Sequence, residues 1–359
     1  MMNTTTHECS FDSRPIGVFD SGVGGLTVAR EIARRLPSEA IVYFGDTLRF
    51  PYGPRPLDEI RLFARQISRW LARQDVKLIV IACNSATAAA LDVIQQESTI
   101  PVIGVVEPGA RAAMWATTAR RVGVIGTVAT IESDAYSRAI RSLDAGITTF
   151  SVATPRFVEM VEQGLRLDNN PIEDIVASAS SLYIRPAFLE IARDYLNPLK
   201  RCMIDTLVLG CTHYPLLTPL IAQVMGPGVT IISSAEETAR EVAEILERRG
   251  QFAAGAQECA GQLAAGAQER AGQLAADDLE RAGQLAARAQ ERAGQLAADD
   301  FGRTDQLAQE TRATLHRFVT SAPDSTDFIT LWSAIFGEPI AQLQLVTTDE
   351  LQELSKETS

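Results

Sequence analysis

Two stretches decide the fold: LIVIACNSATAAAL at 78–91 and DTLVLGCTHYPLL at 205–217. Each starts as a short apolar run, passes a small residue to a cysteine and a polar residue, and turns helix-like. Uninterrupted apolar runs of about four to eight residues fit strands buried on both faces. Five more such runs begin near 16, 41, 102, 122 and 229, spanning 16–19, 41–44, 102–106, 122–125 and 229–232. Helix-like segments separate them, which implies βαβ units and parallel sheets. IGVFDSGVGG (16–25) and VGVIGTVATI (122–131) read as counterparts, as do the two cysteine stretches. The expected fold class is therefore α/β, with two similar parallel-sheet domains and the active site between them.

In such sheets ligands bind beyond the carboxyl ends of the strands. The residues there are DSGVGG (20–25), GDT (45–47), CNSA (83–86), EPG (107–109), GTVAT (126–130) and CTH (211–213). DSGVGG lacks the dinucleotide spacing G-x-G-x-x-G, and an aspartate at the strand end would repel a pyrophosphate. A tight β–α turn is its plain structural alternative.

The 359 residues suggest about two domains. A net charge of −12 without a basic patch argues against nucleic acid. No apolar run of about 20 residues exists, and the start lacks an apolar signal core, so a cytoplasmic chain free of the membrane is expected. Only Lys77, Lys200 and Lys356 are lysines, and none sits in a strand-end motif, which disfavours pyridoxal chemistry. With three histidines and no CxxC pair, no metal site is expected. Residues 250–312 carry AGQLAA at 260–265, 271–276, 282–287 and 293–298, a period of eleven with one leucine per copy. That stripe is too thin for a core, so a low-complexity, partly helical or disordered insertion is expected.

Of the five cysteines, Cys83 and Cys211 stand at strand ends where helices should begin. A helix start favours a thiolate. One such thiol suggests a nucleophile, and His213 beside Cys211 would be its base. Two thiols in matching places of two halves suggest a pair facing one carbon. One would remove a proton and the other deliver one to the opposite face.

At this point IGVFDSGVGGLTV, YFGDTLRFPYG, IVIACNSATA, PVIGVVEPG, GVIGTVATI and LVLGCTHYPLL together resemble the glutamate racemase family over about residues 14–240. The tail LHRFVTSAPDSTDFITLWSAIFG resembles its C-terminal segment, and the repeat block looks like an insertion. The resemblance implies a cofactor-independent racemase that makes D-glutamate for peptidoglycan; the alternatives are an aspartate racemase of the same two-cysteine type and a binding protein on the same scaffold. It implies that Cys83 and Cys211 are the catalytic pair, assisted by Asp20, His213 and Glu162. For substrate contact it implies Asp20, Ser21, Tyr52, Gly53, Asn84, Ser85, Thr127, Thr212 and His213. Glu159 stands where the family usually has proline, Ser85 where threonine is common, and Ser233 where aspartate is frequent. A homodimer is expected, with residues 1–108 and 236–359 forming one domain and 109–235 the other.

Overall fold

The computed structural model describes residues 11–167, 185–253, 315–323, 328–329, 332, 340 and 343–356. The repeats at 260–298 lie outside the described residues.

Two parallel sheets form. The first contains β1 (Ile16–Asp20), β2 (Ile41–Gly45), β3 (Leu78–Ile81) and β4 (Val102–Gly104), extended by β9 (Arg317–Thr320) and β10 (Leu343–Leu345). The second contains β5 (Arg121–Gly126), β6 (Thr148–Ala153), β7 (Thr206–Gly210) and β8 (Thr230–Ser233). Their orders are β10-β9-β2-β1-β3-β4 and β6-β5-β7-β8, so 2-1-3-4 in the first recurs in the second. The internal likeness read from the sequence is thus a likeness of topology. β1 corresponds to β5, and β3, which leads to Cys83, corresponds to β7, which leads to Cys211.

The apolar runs are explained by what each face meets. Leu78 and Val80 join a core that continues into the second sheet through Leu207 and Leu209. Ile79 and Ile81 face the opposite way, onto α2 (Leu57–Ala72) and α3 (Asn84–Glu97). With both faces covered, neither can be polar. Each fully buried Leu or Ile contributes about 1.5–3 kcal/mol.

Two expectations need correction. The run 102–106 is a strand only to Gly104; Val106 opens helix α4 (Val106–Ala116). The strands β6, β9 and β10 were not foreseen. β6 is an edge strand whose sequence TTFSVA is partly exposed, so it lacks the apolar signature.

The helix before the repeat block is α10 (Ser234–Arg249); between α4 and it lie α5 (Val128–Glu132), α6 (Ala135–Leu143), α7 (Arg156–Leu167), α8 (Pro186–Arg201) and α9 (Thr218–Met225). Ser233 caps α10 without a side-chain bond. The helix ends at Gly250, whose φ of 61° is left-handed and suits glycine. Just beyond it lies a buried ion pair. Lys77 Nζ is 2.5 Å from Glu39 Oε2, and both side chains are fully buried. Lys77 also donates to the carbonyls of Asp12 and Gln251, while Glu39 Oε1 accepts the Ala253 N–H at 2.8 Å. Removing one partner would strand a buried charge, at about 3–5 kcal/mol. The last helix, α11 (Thr348–Lys356), packs on α2.

Candidate active site

The carboxyl ends of both sheets meet around a cavity of about 390 Å³. Its floor on one side is the end of β1. Asp20 Oδ2 accepts the N–H groups of Gly25 at 2.9 Å and Gly22 at 3.3 Å. Its other oxygen is buried with no hydrogen-bond partner. The glycines of DSGVGG serve close approach. A Cβ on Gly24 would lie 2.5 Å from His213 Nδ1 and from Thr212 Oγ1 in the opposite half, and one on Gly25 would overlap Asp20 itself. The motif is a tight β–α turn, and the turn is what lets Asp20 and the facing half come together.

Next to it, β3 delivers Cys83 as the N-cap of α3. The following residues reach across. Asn84 Oδ1 accepts from Tyr136 at 2.7 Å, and Ser85 Oγ lies 2.9 Å from Thr127 Oγ1. Asn84 Nδ2 is buried and has no partner. A wall formed by residues 50–54 closes this side. Gly53 O accepts the Ala129 N–H at 2.9 Å, and the Phe50 ring stands 6.0 Å from that of His213.

Opposite, β7 delivers Cys211, Thr212 and His213. Thr27 donates to the Thr212 carbonyl at 3.1 Å, joining the halves. His213 Nδ1 is 3.8 Å from Cys211 Sγ, and its Nε2 is 3.0 Å from Glu162 Oε1 on α7. The expected α-helix start after Cys211 is a correction: a short 3₁₀ turn, Tyr214–Leu217, follows, and α9 begins at Thr218.

The two thiols are in unlike surroundings. Burial drives the Cys83 pKa well up, and the negative charges of Asp20 and Cys211 add to this; N–H groups of Ala86 and Ser21 act against it and lose. The thiolate expected at a helix start is corrected here: backbone N–H groups do favour it, but desolvation of the buried thiol has the opposite sign and is larger. At His213 burial favours the neutral ring, but hydrogen bonds to Cys211 and Glu162 outweigh it and raise the pKa from 6.5 to about 10. An imidazolium next to Cys211 thus faces a protonated thiol at Cys83.

Every residue expected to be catalytic or to contact substrate lines this cavity: Asp20, Ser21, Tyr52, Gly53, Cys83, Asn84, Ser85, Thr127, Glu162, Cys211, Thr212 and His213. The sequence reading missed Phe50, Pro51, Pro54, Val128, Pro155 and Val158, which supply apolar wall. Phe50 and Pro51 fall inside YFGDTLRFPYG and Pro54 directly follows it, so position in a strand-end motif was the available signal. Glu159 lines the rim and is exposed. Glu107 of EPG lies in α4 and does not line the cavity. Asp46 of GDT lies behind the wall. Among the described residues no arginine or lysine lines the cavity, and no cluster of three His, Cys, Asp or Glu is arranged to hold a metal.

Comparison with known proteins gives a consistent answer. The Asp/Glu/hydantoin racemase family model matches residues 16–242. A glutamate racemase of Exiguobacterium sibiricum is 50% identical over 238 residues, 66% of this chain and 82% of that protein. One of Listeria monocytogenes is 44% identical over 243 residues, 68% of this chain and 85% of its own. The crystal structure of a Bacillus anthracis glutamate racemase isoform superposes with a TM-score of 0.68 at 35% identity, covering 93% of this chain and 97% of that one. A Francisella tularensis glutamate racemase solved with D-glutamate gives 0.68 at 27% identity, covering 94% and 99%.

Proposed function

Since the chain belongs to the Asp/Glu/hydantoin racemase family, we propose that it interconverts L- and D-glutamate by two-base proton transfer between Cys83 and Cys211, without a cofactor. The observation that carries this is one cavity lined from opposite sheets by two thiols, one beside a carboxylate and one beside an imidazolium.

The two unpartnered polar atoms suggest how an amino acid sits. Asp20 Oδ1 is a buried acceptor suited to an α-ammonium, and Asn84 Nδ2 a buried donor suited to a carboxylate. The hydroxyls of Ser21, Ser85, Thr127 and Thr212 add neutral donors. These hydroxyl and amide dipoles suit charge that grows on the carboxylate as the α-proton leaves.

The cycle starts with Cys83 as the thiol, the form that its burial and Asp20 favour, and with Cys211 as the base beside His213. Cys211 Sγ takes the α-proton, the electron pair stays on the α-carbon and its carboxylate, and Cys83 gives its proton to the other face. The product leaves the protons exchanged: Cys211 is a thiol, Cys83 a thiolate. That second state is the one that accepts the other enantiomer. Each positioned acid or base accounts for about 10²–10⁴ in rate. Asp20 adds to burial in keeping the Cys83 proton on, and His213, held by Glu162, stands beside Cys211 to assist its proton transfers.

Residues 1–108 with 236–359 form one unit of this reading and 109–235 the other, closing about the substrate. The resemblance further implies a cytoplasmic homodimer supplying D-glutamate to peptidoglycan. Circular dichroism of L-glutamate incubated with the purified chain, without added cofactor, is the test. Decay of the signal to zero, with deuterium entering the α-position in heavy water, is expected; decay of L-aspartate alone would transfer the reading to an aspartate racemase.

A further inference from the structure

The mechanism leaves unused a buried carboxylate at the second strand end. Asp46 directly follows β2, is fully buried, and does not line the cavity. Its Oδ2 accepts from the Tyr52 hydroxyl and from Arg49 Nε at 2.7 Å. Its Oδ1 accepts from Ser321 Oγ at 2.7 Å, and its own N–H donates to the Asp20 carbonyl at 3.0 Å. Every one of these partners bears on the wall. Tyr52 lines the cavity, Arg49 precedes Phe50, and Asp20 is the cavity floor.

Ser321 comes from the far side of the repeat block, directly after β9. Its hydroxyl also accepts the Leu48 N–H at 3.0 Å, and the neighbouring Thr320 hydroxyl lies 2.5 Å from that of Thr47. Arg49 in turn donates to Gln66 at 2.6 Å and lies 4.1 Å from the Phe63 ring centre. Residues 46–54 are therefore held at their root by one carboxylate, with a partner the chain supplies only after residue 315.

We infer that Asp46 is a positioning residue for the substrate-facing wall of Phe50, Tyr52 and Gly53, and that Ser321 makes the C-terminal segment part of that wall. A carboxylate suits this place because it accepts from three side-chain donors at once, which an asparagine cannot. Burial and the Asp46 charge both keep the Tyr52 hydroxyl protonated, so it remains a donor. Loosening the root leaves both thiols in place but moves the surface against which substrate is held.

This inference rests on the racemase reading for its kinetic arm only. Saturation kinetics with both glutamate enantiomers should show KM raised about tenfold in Asp46→Asn and about threefold in Ser321→Ala, with kcat changed less. Ser321→Thr, which restores a hydroxyl, should recover most of the loss. The double variant should be no worse than Asp46→Asn alone, because both act through one carboxylate. Folded variants whose KM is unmoved, or whose loss falls on kcat alone, would overturn it. A substrate-free arm separates the two readings. Iodoacetamide should label Cys83 several-fold faster in Ser321→Ala than in wild type, because a displaced wall opens the cavity. If wild type failed to racemise glutamate, the function proposed above would fall, and equal labelling rates would then overturn this inference independently.

Discussion

The Cys83 and Cys211 ends of the molecule share a topology and differ in charge. Both cysteines follow the third strand of a 2-1-3-4 sheet. Cys83 is closed in by burial and by Asp20, which keep its proton on. Cys211 faces His213, itself held by Glu162. Duplicated backbone thus supplies two equivalent places, and a few side chains put a carboxylate beside one thiol and an imidazole beside the other. Yet enantiomers have equal free energy in water, so kcat/KM must be the same in both directions whatever the acidities. The inequality of the halves can show only in kcat and KM taken separately, and in the chemistry of each sulfur.

The sharpest way to break the comparison is to remove either sulfur. Cys83→Ala and Cys211→Ala should each lower racemisation by about 10⁴-fold or more, read by circular dichroism. A variant retaining the wild-type rate would end the two-sided scheme. Next come the assistants. Asp20→Asn and His213→Asn should each cost about 10²–10³-fold. Asp20→Asn should also let Cys83 be alkylated at lower pH, since a negative charge that opposes its thiolate is gone; an unmoved alkylation profile would refute the assigned asymmetry.

A smaller effect follows from pH. The His213 value rises from 6.5 to about 10 on folding. Its protonated form is therefore favoured by the fold, and that stabilisation is complete below about pH 6.5 and lost as pH rises through about 10. The melting temperature should fall across this window, and His213→Asn should flatten the fall. Gly24→Ala tests how closely the halves approach. Its methyl would meet Thr212 and His213 at 2.5 Å, and a loss of about 1–3 kcal/mol in denaturant unfolding is expected. The smallest effect should come from joining 253 to 315 through a short linker, with kcat/KM kept within about twofold; abolished activity in a folded protein would give the repeat block a catalytic part.

The strand-end cysteines and the glycine-rich turn were legible because a doubly buried strand has an unmistakable composition and its carboxyl end is where ligands bind. β6 was illegible for the converse reason: Thr148, Thr149 and Ser151 are tolerated on an edge, so nothing apolar marks it. The acidity of Cys83 was misread because a helix start is local in sequence, whereas the burial of the thiol, the larger cause, and the charge of Asp20 arise only from packing, Asp20 reaching Cys83 through the pairing of β1 with β3. Asp46 was visible as a strand-end aspartate, but its partner Ser321 is 275 residues away, and no spacing rule spans that distance.

The ion pair of Lys77 and Glu39 has an engineering consequence. The Ala253 N–H is tied to Glu39, and the returning strand pairs Arg317 with Val42. The outgoing and incoming chains therefore meet at the amino-terminal lip of β2, with the strand's length, about 15 Å, between them and the thiols. Such a lip is a port. A reporter or a second enzyme whose own ends lie close together can be spliced between 253 and 315 without adding slack to the cleft.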